Sequence, residues 1–185
     1  CEENNLMFIV DEVQTGMGRL GKLFGHQLYD VEPHAMTLAK ALGSGAPLGA
    51  FLCQEKYSVL VPGDHGSTFG GNALTTASGA AAAEVIVDED ISTLAAQTGA
   101  YATGKLNALR EKHSFITEVR GPGLLIGIEM SKEIAADVVT EAESNGLLLN
   151  AVRPTMLRLM PPLNVSREEV DEALAILDAA LEKIG

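Results

Sequence analysis

The sequence predicts an α/β protein in two parts, a larger N-terminal part with a sheet of buried strands and a small C-terminal α+β part. Three observations lead to this fold class. Short apolar runs at residues 6–10 and 35–39 each lead to a charged residue, as strands of an open sheet do. The alanine-rich segment 73–112 favours helix. Residues 166–184 combine a helix start signal with a single apolar stripe.

The first two apolar runs carry the candidate chemistry. We expect residues 6–10 to form a buried strand that ends at Asp11, and residues 35–39 to form a strand that ends at Lys40. Ligands of open α/β sheets bind beyond the carboxyl ends of the strands. A carboxylate and a lysine facing one crevice are the two groups that pyridoxal phosphate (PLP) requires. The lysine forms the Schiff base, and the carboxylate pairs with the pyridinium nitrogen.

Loops and short elements follow each of these strands. The segment 15–21 holds three glycines, which let backbone approach a ligand closely. Residues 23–29 can form a short helix, and 50–53 read as a short buried strand. The helix that begins at residue 73 is expected to break near residues 88–90, because an acidic cluster interrupts its alanine-rich composition.

The C-terminal part begins after the glycine-proline breaker at residues 121–123. Residues 124–130 read as a strand and 134–144 as a helix. Two more short strands are expected at 147–150 and 156–160, the second stopped by two prolines.

The final helix has the clearest signal in the chain. Ser166 and Glu169 match the S-x-x-E capping box. The apolar stripe recurs at steps of four and three residues: Val170, Leu174, Leu177, Leu181 and Ile184.

Composition limits the partners of the chain. Its 185 residues are 46% hydrophobic and carry a net charge of −12, which argues against nucleic acids and anionic membranes. No apolar run approaches the ~18 residues of a membrane helix. The first residues lack the pattern of a signal peptide. Cys1 and Cys53 give neither a disulfide framework nor a zinc spacing, so we expect a cytoplasmic location.

Three segments resemble the class III, fold type I PLP-dependent aminotransferases: DEVQTGMGRLGKLF at 11–24, TLAKALGSGAPLGA at 37–50 and GSTFGGN at 66–72. The resemblance covers the whole chain but only the C-terminal half of the usual family sequence. It implies that residues 1–112 are the C-terminal part of the large PLP-binding domain and 113–185 the small domain. Within the family the acetylornithine group is the most similar, with ornithine, succinylornithine and 4-aminobutyrate aminotransferases as alternatives.

The resemblance assigns roles around the cofactor ring. It implies that Lys40 carries PLP and acts in catalysis, together with Asp11 at the pyridine nitrogen. Val13 would pack on the ring, and Gln14 would bind its phenolic oxygen. Glu12, which lies between Asp11 and Val13 in the same motif, is included among the cofactor-binding residues.

Other roles concern the phosphate and the substrates. The resemblance implies that Thr68 reaches the phosphate in a neighbouring subunit, which predicts a homodimer with shared active sites. Ser67 would lie beside the substrate. Arg158 would hold the α-carboxylate of the amino donor and of 2-oxoglutarate, because a planar guanidinium grips a carboxylate at two points. Ser44 departs from the family pattern, in which three consecutive glycines are commoner.

The same residues bear on two other classes of function. Residues 16–22 fit the P-loop pattern G-x-x-x-x-G-K, but Leu23 stands where a hydroxyl should hold Mg²⁺, so we reject an ATPase. The four histidines are scattered without ligand spacing, so no metal site is predicted. A non-catalytic fragment that retains the fold stays open as an alternative.

Overall fold

A computed structural model describes residues 1–185. The contacts divide the chain into two compact units, residues Cys1–Ser92 and Thr93–Gly185. The helix that closes the alanine-rich segment therefore groups with the second unit. The predicted domain boundary between residues 112 and 113 refers to a longer domain and stays a prediction.

A three-stranded sheet forms the centre of the first unit. Its strands are β1 (Ile9–Asp11), β2 (Ala35–Leu38) and β3 (Ala50–Cys53), and their order in the sheet follows the chain. β1 and β2 are parallel, whereas β3 is antiparallel to β2. The carboxyl ends of β1 and β2 therefore lie at the same edge.

The expectation that residues 6–10 form a buried strand is wrong in two respects. The strand covers only Ile9–Asp11, and its side chains are exposed or half-buried, with Ile9 51% and Leu6 58% accessible. β1 is the outer strand of a sheet of only three, so little of the first unit covers its faces. The strand β3, also expected to be buried, leaves Phe51 and Leu52 exposed for the same reason.

Helical segments complete the first unit. Residues 25–28 form a short 3₁₀ helix within the predicted helical stretch. The helix α1 (Ala73–Asp88) begins where the Asn72 side chain accepts a hydrogen bond from the Thr75 N–H at 3.1 Å. Its end at Asp88, followed by Asp90 with a φ of +48°, confirms the predicted break.

The second unit has α2 (Ile91–Lys112) at its start and a four-stranded antiparallel sheet. The remaining elements follow in chain order: β4 (Ile116–Arg120), β5 (Ile126–Met130), α3 (Ala135–Ser144), β6 (Asn150–Arg153), β7 (Met156–Leu159) and α4 (Arg167–Ile184). The order of strands is β4-β5-β7-β6. The predicted strand at 147–150 is shifted, since only Asn150 belongs to β6, and β4 was not predicted.

The core of the second unit lies between this sheet and the helices. Ile128 of β5, Leu157 of β7 and Leu177 of α4 are fully buried in it. Both predictions for α4 are confirmed. Ser166 and Glu169 form the reciprocal capping box, and the stripe from Val170 to Leu181 faces the core.

None of the helices combines the length and apolar composition that crossing a lipid bilayer requires.

Candidate active site

The two candidate catalytic residues lie at the ends of neighbouring parallel strands. Asp11 is the last residue of β1 and pairs in register with Thr37 of β2. Lys40 follows Thr37 by three residues, just beyond the end of β2. Strand pairing therefore brings two residues that are 29 positions apart in the sequence to the same edge of the sheet.

Asp11 is held by groups from both strands. Its Oδ1 accepts hydrogen bonds from the Val13 N–H at 3.0 Å and from the Thr37 hydroxyl at 2.9 Å. The bond from Val13, then that from Thr37, and to a smaller degree the charge of Lys40 lower the pKa of the Asp11 carboxyl below its ordinary value. Asp11 is therefore an exposed, ionised carboxylate with a fixed orientation.

Lys40 has an unusual backbone conformation. Its φ is +47°, in the left-handed region that a residue with a side chain seldom occupies. A short 3₁₀ helix, Lys40–Leu42, follows, and the Gly43 N–H donates to the Lys40 carbonyl at 3.1 Å. Such strain persists only where the surroundings impose it, and it is common at functional sites. The Lys40 side chain is exposed.

Glu12 lies next to Asp11 but has the opposite environment. Only 1% of Glu12 is exposed, and its carboxylate accepts hydrogen bonds from Thr15, Gly25 and His26. Because both carboxylate oxygens are engaged, a role through neighbouring residues fits this position better than direct contact with a cofactor. Val13 and Gln14 are half-buried on the loop that follows.

Ser67 and Thr68 lie on an exposed segment before α1. The Ser67 hydroxyl accepts a hydrogen bond from the Gly70 N–H at 2.9 Å, which closes a tight turn. Every residue from 58 to 74 is exposed, and Phe69 is 81% accessible. Thr68 is thus presented outward on a turn held by its own residues.

Arg158 belongs to the second unit. It lies on β7 between the core residues Leu157 and Leu159 and pairs in register with Gly127 of β5. Alternation along the strand directs Arg158 to the face opposite the two leucines. It borders a largely apolar cavity of about 270 Å³ in this unit, with Leu124 and Val170 among the other lining residues.

Sequence reasoning missed three residues that support Asp11 and Glu12. Thr37 binds Asp11, whereas Thr15 and His26 bind Glu12. Thr37 lies within the recognised motif, but its contact with Asp11 depends on strand register, which single residues do not reveal. The spacing of Glu12 and Thr15 was a signal for the contact between them, because a hydroxyl three residues after a carboxylate can donate a hydrogen bond to it.

No three His, Cys, Asp or Glu side chains converge as the ligands of a metal ion would.

Comparison with known proteins gives one consistent result. The family model described as aminotransferase class-III matches residues 1–181. The curated acetylornithine aminotransferase of Caldanaerobacter subterraneus subsp. tengcongensis is 48% identical over 184 residues, which is 100% of this chain and 47% of that protein. The chain thus spans about half the length of the curated relatives it matches.

Solved structures agree with the fold. An acetylornithine aminotransferase from Elizabethkingia anophelis superposes with a TM-score of 0.92 at 37% identity, over 99% of this chain and 47% of that one. Ornithine δ-aminotransferase from Plasmodium falciparum superposes with a TM-score of 0.93 at 36% identity, over 100% of this chain and 48% of that one. These matches confirm the predicted α/β fold of a fold type I aminotransferase. The chain belongs to the class-III aminotransferase family.

Proposed function

We propose that this protein is a PLP-dependent aminotransferase that transfers the terminal amino group of N-acetylornithine to 2-oxoglutarate, a step of arginine biosynthesis. The observation that carries the proposal is the placement of Asp11 and Lys40 at the ends of adjacent parallel strands. Family membership and the acetylornithine aminotransferases among its relatives support the reaction type.

The residues present fit the cofactor. PLP needs a carboxylate at its pyridine nitrogen and a lysine at its aldehyde. Asp11 is an ionised carboxylate whose hydrogen bonds favour the charged form, and Lys40 is an exposed amine at the same edge of the sheet. When bound, PLP supplies the electron sink for the carbon–hydrogen bond that breaks.

The protein's own groups then perform distinct tasks. The Asp11 carboxylate keeps the pyridine nitrogen protonated, because a fixed negative charge beside the ring favours its positively charged form. The Lys40 Nζ, once free, takes a proton from one carbon of the substrate and returns it to another. Val13 and Gln14 orient the ring from the loop after β1. Arg158 binds the α-carboxylate shared by donor and acceptor.

The exposed segment 58–74 supports a homodimer. It presents Thr68 on a turn together with apolar side chains such as Phe69 and Leu74, which are about four-fifths accessible. In the proposed dimer this segment packs on a second subunit, where Thr68 binds the cofactor phosphate and Ser67 lies beside the substrate. The cytoplasm is the proposed location, consistent with the free cysteines Cys1 and Cys53.

The test is cofactor attachment at Lys40. We expect the full-length protein, with the half of its relatives' length that these 185 residues do not span, to bind PLP and, after borohydride reduction, to carry the cofactor covalently on the peptide that contains Lys40. Lys40→Ala should lose this label and almost all turnover, because no other residue in the motif supplies the amine. Lys22→Ala is the matched control, since Lys22 is also an exposed lysine of the first unit.

Label at another lysine, or no PLP binding at all, would reject the assignment in favour of a non-catalytic relative. The choice of amino donor is tested by comparing kcat/KM for N-acetylornithine, ornithine, succinylornithine and 4-aminobutyrate, each with 2-oxoglutarate. The ornithine aminotransferases among the structural relatives make ornithine the main competitor.

A further inference from the structure

The loop after β1 is built around the carboxylate of Glu12. Its Oε2 accepts hydrogen bonds from the Thr15 hydroxyl at 2.5 Å and the Gly25 N–H at 2.9 Å. Its Oε1 accepts one from the His26 N–H at 2.7 Å, and the His26 Nδ1 lies 3.2 Å away. The Glu12 side chain therefore joins the end of β1 to Gly25 and His26, which follow it by 13 and 14 positions in the chain.

The main chain of Glu12 is tied to its surroundings as well. Its N–H donates to the Thr37 carbonyl of β2 at 3.0 Å, and its carbonyl accepts from the Gly16 N–H at 3.0 Å. Two glycines, Gly16 and Gly25, pack closely against Glu12. A Cβ at Gly16 would lie 2.9 Å from the Glu12 carbonyl oxygen, and one at Gly25 would lie 2.9 Å from Oε2.

Charge and burial make this arrangement sensitive to any change. Burial raises the pKa of the Glu12 carboxyl, but the bonds from Thr15, His26 and Gly25 lower it by more, so the group is ionised at neutral pH. A buried charge without these donors is strongly disfavoured. The loop can therefore leave the carboxylate only at a large cost.

The residues next to Glu12 are the ones assigned to the cofactor. Asp11 precedes it and points to the exposed side, because successive side chains of a strand alternate. Val13 follows it and donates its N–H to Asp11 at 3.0 Å. Fixing Glu12 thus fixes the orientation of the peptide units that hold Asp11, Val13 and Gln14.

We propose that Glu12 is a positioning residue, whose buried carboxylate anchors residues 15–26 to the end of β1 and thereby holds Asp11, Val13 and Gln14 in the orientation that binds PLP. This inference rests on the proposed function. It also gives Glu12 a role different from direct contact with the cofactor.

The test compares Glu12→Gln with a matched surface variant in the purified protein. Whichever oxygen it replaces, the amide nitrogen of glutamine would face a backbone donor, the Gly25 N–H or the His26 N–H, so one of these hydrogen bonds is lost. We expect the PLP dissociation constant to rise about tenfold, the size of effect that losing a hydrogen bond to a charged group gives. Glu55→Gln removes one exposed carboxylate from the same unit and should leave the constant unchanged.

Two readouts separate positioning from a general loss of stability. Hydrogen–deuterium exchange of the cofactor-free variant should rise in residues 15–26 and not in α1. Visible circular dichroism of bound PLP, which reports ring orientation, should change in Glu12→Gln and stay as in the wild type in Glu55→Gln. If Glu12→Gln does not fold, Thr15→Val removes one donor only and should show the same changes in smaller measure.

The outcomes distinguish this inference from the proposed function. Wild-type protein that fails to bind PLP, or binds it without Lys40, overturns the function. Wild-type protein that binds PLP through Lys40 while Glu12→Gln or Thr15→Val keeps normal affinity and dichroism overturns the positioning role alone. Faster exchange across the whole first unit would also overturn it, because Glu12 would then act only on folding.

Discussion

Ser44 offers a direct test of backbone strain beside the candidate lysine. It lies in the loop after Lys40 with a φ of +46°, and its side chain is exposed. The left-handed conformation costs an ordinary residue about 1–2 kcal/mol. Glycine adopts it freely but loses more backbone entropy on folding, about 0.5–1 kcal/mol. Ser44→Gly should therefore raise the free energy of unfolding by about 0.75 kcal/mol, the difference between the midpoints of these two ranges.

The assay is urea unfolding followed by circular dichroism, with Ser58→Gly as the control. Ser58 is an exposed serine of the same unit with a φ of −78°, so glycine relieves no strain there and should destabilise. The two substitutions thus have opposite expected signs. If Ser44→Gly lowers stability as much as Ser58→Gly does, the reasoning is wrong.

Two further predictions concern binding and pH. Arg158→Ala should cut kcat/KM for both the amino donor and 2-oxoglutarate, by an amount equivalent to about 2–5 kcal/mol, because each presents an α-carboxylate. Arg158→Lys should recover only part of this loss, and PLP absorbance should stay normal in both variants. If steady-state kinetics show that kcat/KM of Arg158→Ala falls less than tenfold for both substrates, Arg158 does not bind the α-carboxylate. Glu12 should make the first unit acid-sensitive. Its folded pKa is lowered, so its contribution to stability is present above the unfolded pKa and is lost as pH falls through the folded one. Unfolding measured between about pH 6 and pH 3 should depend less steeply on pH in Glu12→Gln, and equal slopes would contradict this prediction.

Local signals in the sequence predicted the elements that depend on local interactions. The capping box of Ser166 and Glu169 and the stripe on α4 require only neighbours along one helix, and both are confirmed. The break between α1 and α2 was visible because the acidic residues at 88–90 interrupt an alanine-rich run. The positions of Asp11 and Lys40 followed from apolar runs that end at charged residues.

Elements that depend on partners elsewhere in the chain were harder to predict. β4 was missed because its register shifts between Ile116 and Glu118, which disturbs the alternation that marks a strand. The apolar run at 147–150 predicts a strand that begins three residues before β6 does. Leu147 and Leu149 do pack on the core and Leu148 is exposed, as in a strand, but the pairing with β7 begins at Asn150.

The hydrogen bonds that hold Asp11 and Glu12 could not be predicted from the sequence either. Thr37 reaches Asp11 only through the parallel pairing of β1 and β2, and His26 reaches Glu12 only through the path of a loop. The burial of Glu12 beside an exposed Asp11 likewise follows from which side of the strand is covered. A sequence of two adjacent carboxylates does not specify which one faces the interior.

The order of the strands in the first unit has a consequence for how the site forms. β1, β2 and β3 are neighbours in the sheet in the same order as in the chain, and the bond from Thr37 to Asp11 closes a separation of only 26 residues. The entropy of loop closure grows slowly with length and is modest at this distance. During synthesis from the N-terminus, Asp11 and Lys40 can therefore come together once β3 has emerged from the ribosome, without any residue of the second unit.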